Sequence, residues 1–198
     1  CNPNNPTGTL TPRPQIELLL AHKPPGAVVL LDEAYIHFSD APPCLDLAVA
    51  RKDLIVLRTF SKIYGMAGLR AGVAVAHPDL LRKIEPYGAN IMPATGMVGA
   101  IASLRNQNLV PERKRLNREI REEVFRFLAE RQFSFIPAVS NKFLLDVKRP
   151  GLEIVRALAA EKVYIGRVWP AMPTHVRVTI GAREEMQKFQ AALLKVMT

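Results

Sequence analysis

Cysteine is nearly absent: Cys1 and Cys44 are the only two in 198 residues. Two thiols so far apart make neither a disulfide framework nor a metal-ligand pattern, and the expected setting is reducing and cytoplasmic. No apolar run approaches the roughly 18 to 20 residues that span a bilayer, so no membrane segment is expected. No basic start leads into an apolar stretch, so no signal peptide is read. Internal repeats and low-complexity segments are missing too, which leaves an ordinary globular chain.

What is present fits that class. Hydrophobic residues make up 48% and charged residues 23%, enough for a real core in one domain or two small ones. The net charge of +9 raises the question of nucleic acid. The basic residues, however, are spread along the chain and mixed with acids. In 111–132, Arg113, Lys114, Arg115, Arg118, Arg121, Arg126 and Arg131 alternate with Glu112, Glu119, Glu122, Glu123 and Glu130. That mixture reads as a solvated helix face laced with ion pairs, so no nucleic-acid partner is expected. Anionic small molecules remain compatible.

The opening Cys-Asn-Pro-Asn-Asn-Pro-Thr-Gly is a dense turn signal with no element before it. It reads as the inside of a domain, and the expectation is that material lies upstream. Thr11 and Pro12 suit a helix start, with Ile16, Leu19 and Leu20 on its apolar face and Pro24-Pro25-Gly26 ending it. Ala27–Leu31, Leu54–Leu57 and Gly72–Ala76 are short apolar runs, as in parallel strands covered on both faces. Helical stretches are expected around 79–84 and, as a buried helix, over 92–104. A long amphipathic helix over 111–132 carries Leu116, Ile120, Val124, Phe127 and Leu128 on one stripe.

Beyond it the pattern becomes α+β. Strands are expected at 133–136, 143–147, 163–165 and 176–180. A helix over 152–162 has Leu152, Val155, Leu158 and Ala159 facing inward, and the last helix spans 183–197. The chain is therefore read as α/β: a partial, mostly parallel sheet with flanking helices over 1–110, then a bridging helix and smaller α+β domain over 111–198.

In such sheets ligands bind beyond the carboxyl ends of the strands. Three polar clusters fall there: Asp32-Glu33-Ala34-Tyr35, Arg58-Thr59-Phe60-Ser61-Lys62 and Gly68-Leu69-Arg70. Taken singly, each residue has a plain structural role. Asp32 reads as a turn residue, Lys62 as surface, Tyr35 as the edge of a core, and Arg70 as an ion-pair partner. Arg177 reads as the polar face of an alternating strand. Together they put a carboxylate, an amine, hydroxyls and a guanidinium at one sheet edge.

The motifs Asn2-Pro3-Asn4-Asn5-Pro6-Thr7-Gly8, Asp32-Glu33-Ala34-Tyr35, Ser61-Lys62 and Gly68-Leu69-Arg70 follow in an order and at separations that closely resemble the class I/II (fold type I) pyridoxal-5′-phosphate (PLP) aminotransferases. Within them the chain is most similar to histidinol-phosphate aminotransferases. Val176-Arg177-Val178-Thr179-Ile180-Gly181 resembles the family's late carboxylate-binding motif.

The resemblance implies transamination between an L-amino acid, or a histidinol-phosphate-like amine, and a 2-oxo acid. It implies Lys62 as the Schiff-base lysine and proton-transfer base, and Asp32 as partner of the pyridine nitrogen. Asn5 and Tyr35 would bond the ring's phenolic oxygen, and Thr59, Ser61 and Arg70 the phosphate. Arg177 would hold the substrate carboxylate. Arg167 would meet an anionic side chain, while Trp169 beside it suits an apolar pocket equally. A homodimer is implied, as are upstream strands, a phosphate loop and a stacking aromatic residue. Relatives with this residue set also decarboxylate amino acids or cleave C–S bonds, and a truncated, non-catalytic remnant is a further reading.

Overall fold

In the computed structural model, residues 1–88 and 91–197 are described. They form two compact units. Unit 1 comprises Cys1–Pro3 and Leu10–Lys114, and unit 2 comprises Asn4–Thr9 and Arg115–Thr198.

Unit 1 is built on three strands in the order β1 (Val29–Asp32), β2 (Leu54–Thr59), β3 (Gly72–Val75). β1 and β2 run parallel, with Asp32 beside Leu57. One face is covered by α1 (Arg13–His22) and α2 (Leu45–Ala50), whose Ile16, Leu20 and Ala48 bury Leu31, Leu54 and Val56. Each buried Leu, Ile or Val side chain contributes about 1.5–3 kcal/mol. The other face carries α3 (Pro78–Ile84), through Leu80 against Ile55. α4 (Ala94–Arg105) lays Ala100 against Phe60 and Ala71.

Five local expectations for unit 1 are corrected. β1 is not covered on both faces, since Leu30 is exposed and only Leu31 is buried. β3 is antiparallel to β2 and largely exposed, not a buried parallel strand. The connecting residues 60–71 hold only a short 3-10 turn, Ala67–Leu69, and not the α-helix that usually carries a parallel crossover. Thr11 does not cap α1. Pro12 stands at that position, and the Thr11 backbone is clamped instead by the Asn2 side chain (3.0 and 2.7 Å). Leu19 lies outside the apolar face of α1, which uses Ile16 and Leu20, one turn apart. α4 is apolar but not a buried helix: Met97, Val98, Ile101 and Leu104 are exposed, and only Gly96 and Ala100 are buried.

Unit 2 is an antiparallel sheet, β4 (Ser134–Ile136), β5 (Lys142–Asp146), β6 (His175–Thr179), in that order. β5 is central and buried on both faces, and β6 alternates as a half-exposed edge requires. The core joins Phe143, Val176 and Val178 to Ile120, Val124 and Leu128 of α5 (Leu109–Glu130). α6 (Gly151–Ala160) adds Ile154 and Leu158, and α7 (Arg183–Met197) adds Met186, Phe189 and Leu193. Four expectations change here. Leu116 is exposed, and the buried stripe of α5 begins at Ile120. Ile154, not Leu152, faces inward on α6. Arg121 is not on a solvated face but is buried, donating to the Val139 carbonyl at 2.7 Å. Residues 163–165 form no strand; the neighbouring Gly166 amide alone donates to Arg177 of β6, at 2.8 Å.

Gly8 locks the early segment into unit 2. Its φ is +74°, and a Cβ there would run into the Lys142 carbonyl and the Ala138 side chain. Its carbonyl accepts from the Val139 amide at 2.9 Å. Gly8→Ala therefore combines backbone strain with overpacking, and unit 2 should lose about 2–4 kcal/mol. Urea unfolding followed by the fluorescence of Trp169, the single tryptophan, measures this.

Candidate active site

The carboxyl ends of β1 and β2 carry the chemistry of unit 1. Asp32 ends β1, and one of its oxygens accepts from the Ala34 amide at 2.9 Å, turning the chain. At the end of β2, the Thr59 hydroxyl accepts from the Ser61 amide at 3.0 Å, which directs the next residue, Lys62, outward. Arg70 sits in the left-handed region (φ +54°) just before β3, and its guanidinium donates to the Ala67 carbonyl at 2.8 Å. Gly72, two residues on, is needed because a Cβ there would lie 2.9 Å from the Arg58 carbonyl.

These ends surround an open recess of about 550 Å³. Asp32, Thr59, Ser61, Lys62 and Arg70 all line it. Among the described residues Lys62 makes no ion pair; its ammonium lies 5.5 Å from the centre of the Tyr35 ring. Tyr35 is buried with Phe38 and Ile63 and lies outside the residues lining the recess. The recess thus offers a lysine side chain, a carboxylate, two hydroxyls and a guanidinium. Among the described residues no group of His, Cys, Asp and Glu could hold a metal ion.

A polar network beside the recess, which Arg58 also lines, was not singled out from the sequence. Glu33 has a fully buried side chain; one oxygen accepts from the Cys44 amide at 2.8 Å and the other from Arg58 at 2.7 Å. Arg58 also lies 3.3 Å from Nε2 of His37. The available signal was the strand period of two, which sends Glu33 and Arg58 to the face opposite Asp32 and Thr59.

Burial, then the positive charges of Arg58 and Lys114, pull His37 down from its ordinary 6.5 to about 4. Lys114 is itself paired with Asp40. Below pH 6.5 the unfolded chain takes up a proton at this position that the folded chain refuses until about pH 4. Unit 1 should therefore lose stability as pH falls through that window. His37→Gln should flatten this slope in urea midpoints measured across it.

In unit 2, Asn5, Arg167 and Arg177 gather near Trp169. Arg177 donates to the Asn5 side chain at 3.0 Å. The guanidinium carbons of Arg167 and Arg177 stand 5.2 and 5.4 Å from the Trp169 ring centre, within cation–π range. Nε of Arg177 is buried and has no hydrogen-bond partner among the described residues. Gly166 makes room for this guanidinium, since a Cβ there would come within 2.8 Å of that Nε. The arrangement leaves Arg177 with donors to offer an anion.

Comparisons with known proteins show the family. The histidinol-phosphate aminotransferase of Moorella thermoacetica is 34% identical over 207 residues, covering 100% of this chain and 53% of that protein. The crystal structure of histidinol-phosphate aminotransferase from Sinorhizobium meliloti in complex with pyridoxal-5′-phosphate superposes with a TM-score of 0.86 at 25% identity, covering 99% of this chain and 56% of the other. An L-threonine-O-3-phosphate decarboxylase from Porphyromonas gingivalis shares the fold, with a TM-score of 0.81 at 24% identity over 98% of this chain and 62% of the other. The chain thus spans about half the length of the curated relatives it matches. No described helix is long and apolar enough to cross a membrane. The family model for aminotransferase class I and II matches residues 1–193, and the chain belongs to that family.

Proposed function

We propose that this chain is the lysine-bearing portion of a PLP-dependent aminotransferase that moves an amino group between an L-amino acid, or a histidinol-phosphate-like amine, and a 2-oxo acid. The observation that carries the reading is the convergence of Asp32, Thr59, Ser61, Lys62 and Arg70 on one recess at the strand ends. Their donor set fits PLP group by group. Lys62 would hold the cofactor's carbonyl carbon, Asp32 its ring nitrogen, and Thr59, Ser61 and Arg70 its phosphate. When bound, PLP supplies an electron sink for charge developing at the substrate's Cα.

The rest is the work of the side chains. Once substrate has displaced it, the Lys62 amine would take the Cα proton and return it one position along. A carboxylate at Asp32 would keep the ring nitrogen protonated. In unit 2, Arg177 would hold the substrate carboxylate and fix the Cα–H bond in direction. Arg167 would meet an anionic side chain, and Asn5 and Tyr35 are assigned to the ring oxygen. A homodimer is proposed, supported by exposed apolar side chains such as Leu18, Leu30, Val98 and Leu104.

A second reading is decarboxylation on the same scaffold, favoured by the decarboxylase of like fold. The recess would bind the cofactor without choosing which Cα bond breaks.

The test is mass spectrometry of the chain after incubation with PLP and reduction with borohydride. One stoichiometric pyridoxyl adduct mapped to Lys62 is expected. Scattered labelling, or none at Lys62, would refute an assembled site and favour a non-catalytic remnant.

A further inference from the structure

The turn that carries Lys62 is held from behind by a chain of contacts that begins at a buried charge. The Glu33 carboxylate binds two separate pieces of unit 1, the Cys44 amide before α2 and the Arg58 guanidinium on β2 (2.8 and 2.7 Å). Arg58 reaches on to His37 Nε2 at 3.3 Å. The His37 ring meets Tyr64 edge-on, with centroids 5.4 Å apart and planes at 81°. Tyr64 in turn packs on Phe60 at 4.8 Å. Phe60 and Tyr64 flank Ser61 and Lys62. The turn closes through two backbone bonds, Gly65 amide to Lys62 carbonyl (2.9 Å) and Met66 amide to Phe60 carbonyl (3.0 Å).

A buried ion pair is a poor way to gain stability, because desolvation cancels much of the attraction. What it supplies is direction: Arg58 presents a rigid fork, one arm to Glu33 and one to His37. We propose that Glu33 and Arg58 are positioning residues, which act through His37, Tyr64 and Phe60 to hold the Phe60–Met66 turn so that Ser61 and Lys62 face the recess. This rests on the reading of Lys62 as the cofactor lysine, but its structural half can be tested without cofactor.

The experiment compares the wild-type chain with E33L/R58M, which removes both charges together, and R58K, which keeps a cation for Glu33 but lacks the fork. Three quantities are read: the melting temperature, amide hydrogen exchange at Gly65 and Met66, and the rate of borohydride-trapped PLP labelling at Lys62. Melting temperatures are expected to stay close to wild type. Exchange at Gly65 and Met66 should accelerate at least about tenfold, and labelling should slow by about ten- to a hundredfold.

Wild-type exchange and labelling in a variant that melts normally would overturn the proposal and leave the pair a merely structural one. If E33L/R58M fails to fold, R58K alone decides by the same readouts. If the wild-type chain itself fails to label Lys62 while the exchange effect holds, the cofactor assignment falls and the positioning role stands.

Discussion

Replacing Lys62 by alanine is expected to abolish the pyridoxyl adduct and to lower amino-group transfer by about three to four orders of magnitude in any preparation that transaminates. Two losses combine: the covalent hold on the cofactor and the base that moves the Cα proton. Lys62→Arg separates charge from nucleophilicity. Arginine keeps the positive charge and most of the length, yet it does not give up its proton in proteins. It should therefore label no better than alanine. Because Lys62 is exposed and makes no ion pair among the described residues, neither change should shift the melting temperature appreciably. A Lys62→Arg chain that still forms a stoichiometric adduct elsewhere in the recess would defeat the assignment.

Arg58→Met should be the most destabilising single change in unit 1, by about 3–5 kcal/mol. It strands a carboxylate whose side chain is 0% exposed, leaving it only the neutral donors of Cys44, the amide and the thiol, among the described residues. Glu33→Leu in the same chain should recover most of that loss, since an apolar pair of similar bulk needs no solvation. Urea midpoints of the two single variants and the double close the cycle. If the single Arg58→Met change costs less than about 1 kcal/mol, water reaches Glu33 and the network is not dry.

Most of the groups lining the recess were legible because they follow a short apolar run, and such runs end where a strand does; Arg70 instead precedes one. Asp32, Thr59 and Lys62 needed no tertiary information to be placed at strand ends. Arg58 and Glu33 were harder. Each stands beside a more conspicuous neighbour, and only their long-range contacts with His37 and Cys44 reveal their use. Elsewhere burial was the obscure quantity. The composition of α4 shows a helix, but not that Val98 and Leu104 would lie bare, because that depends on what else packs there. Residues 163–165 have a strand-like makeup, yet too few backbone bonds bind that segment to β6. Gly8 was visible as a turn residue, while the close approach of Lys142 and Ala138 that makes it irreplaceable depends on sequence far away.

The allotment of the first ten residues bears on how the molecule can be taken apart. Cys1–Pro3 count with unit 1, Asn4–Thr9 with unit 2, and Leu10 onward with unit 1 again. A single scission near Lys114 therefore does not yield two self-sufficient fragments. A clone of residues 115–198 would lack Gly8 and the Asn5 side chain, and its Val139 amide and Arg177 guanidinium would lose the partners that Asn4–Thr9 supplies. Such a fragment should behave as a receptor. A synthetic hexapeptide with the sequence Asn-Asn-Pro-Thr-Gly-Thr, added in trans, would raise its melting temperature, and the same peptide with alanine in place of glycine would not.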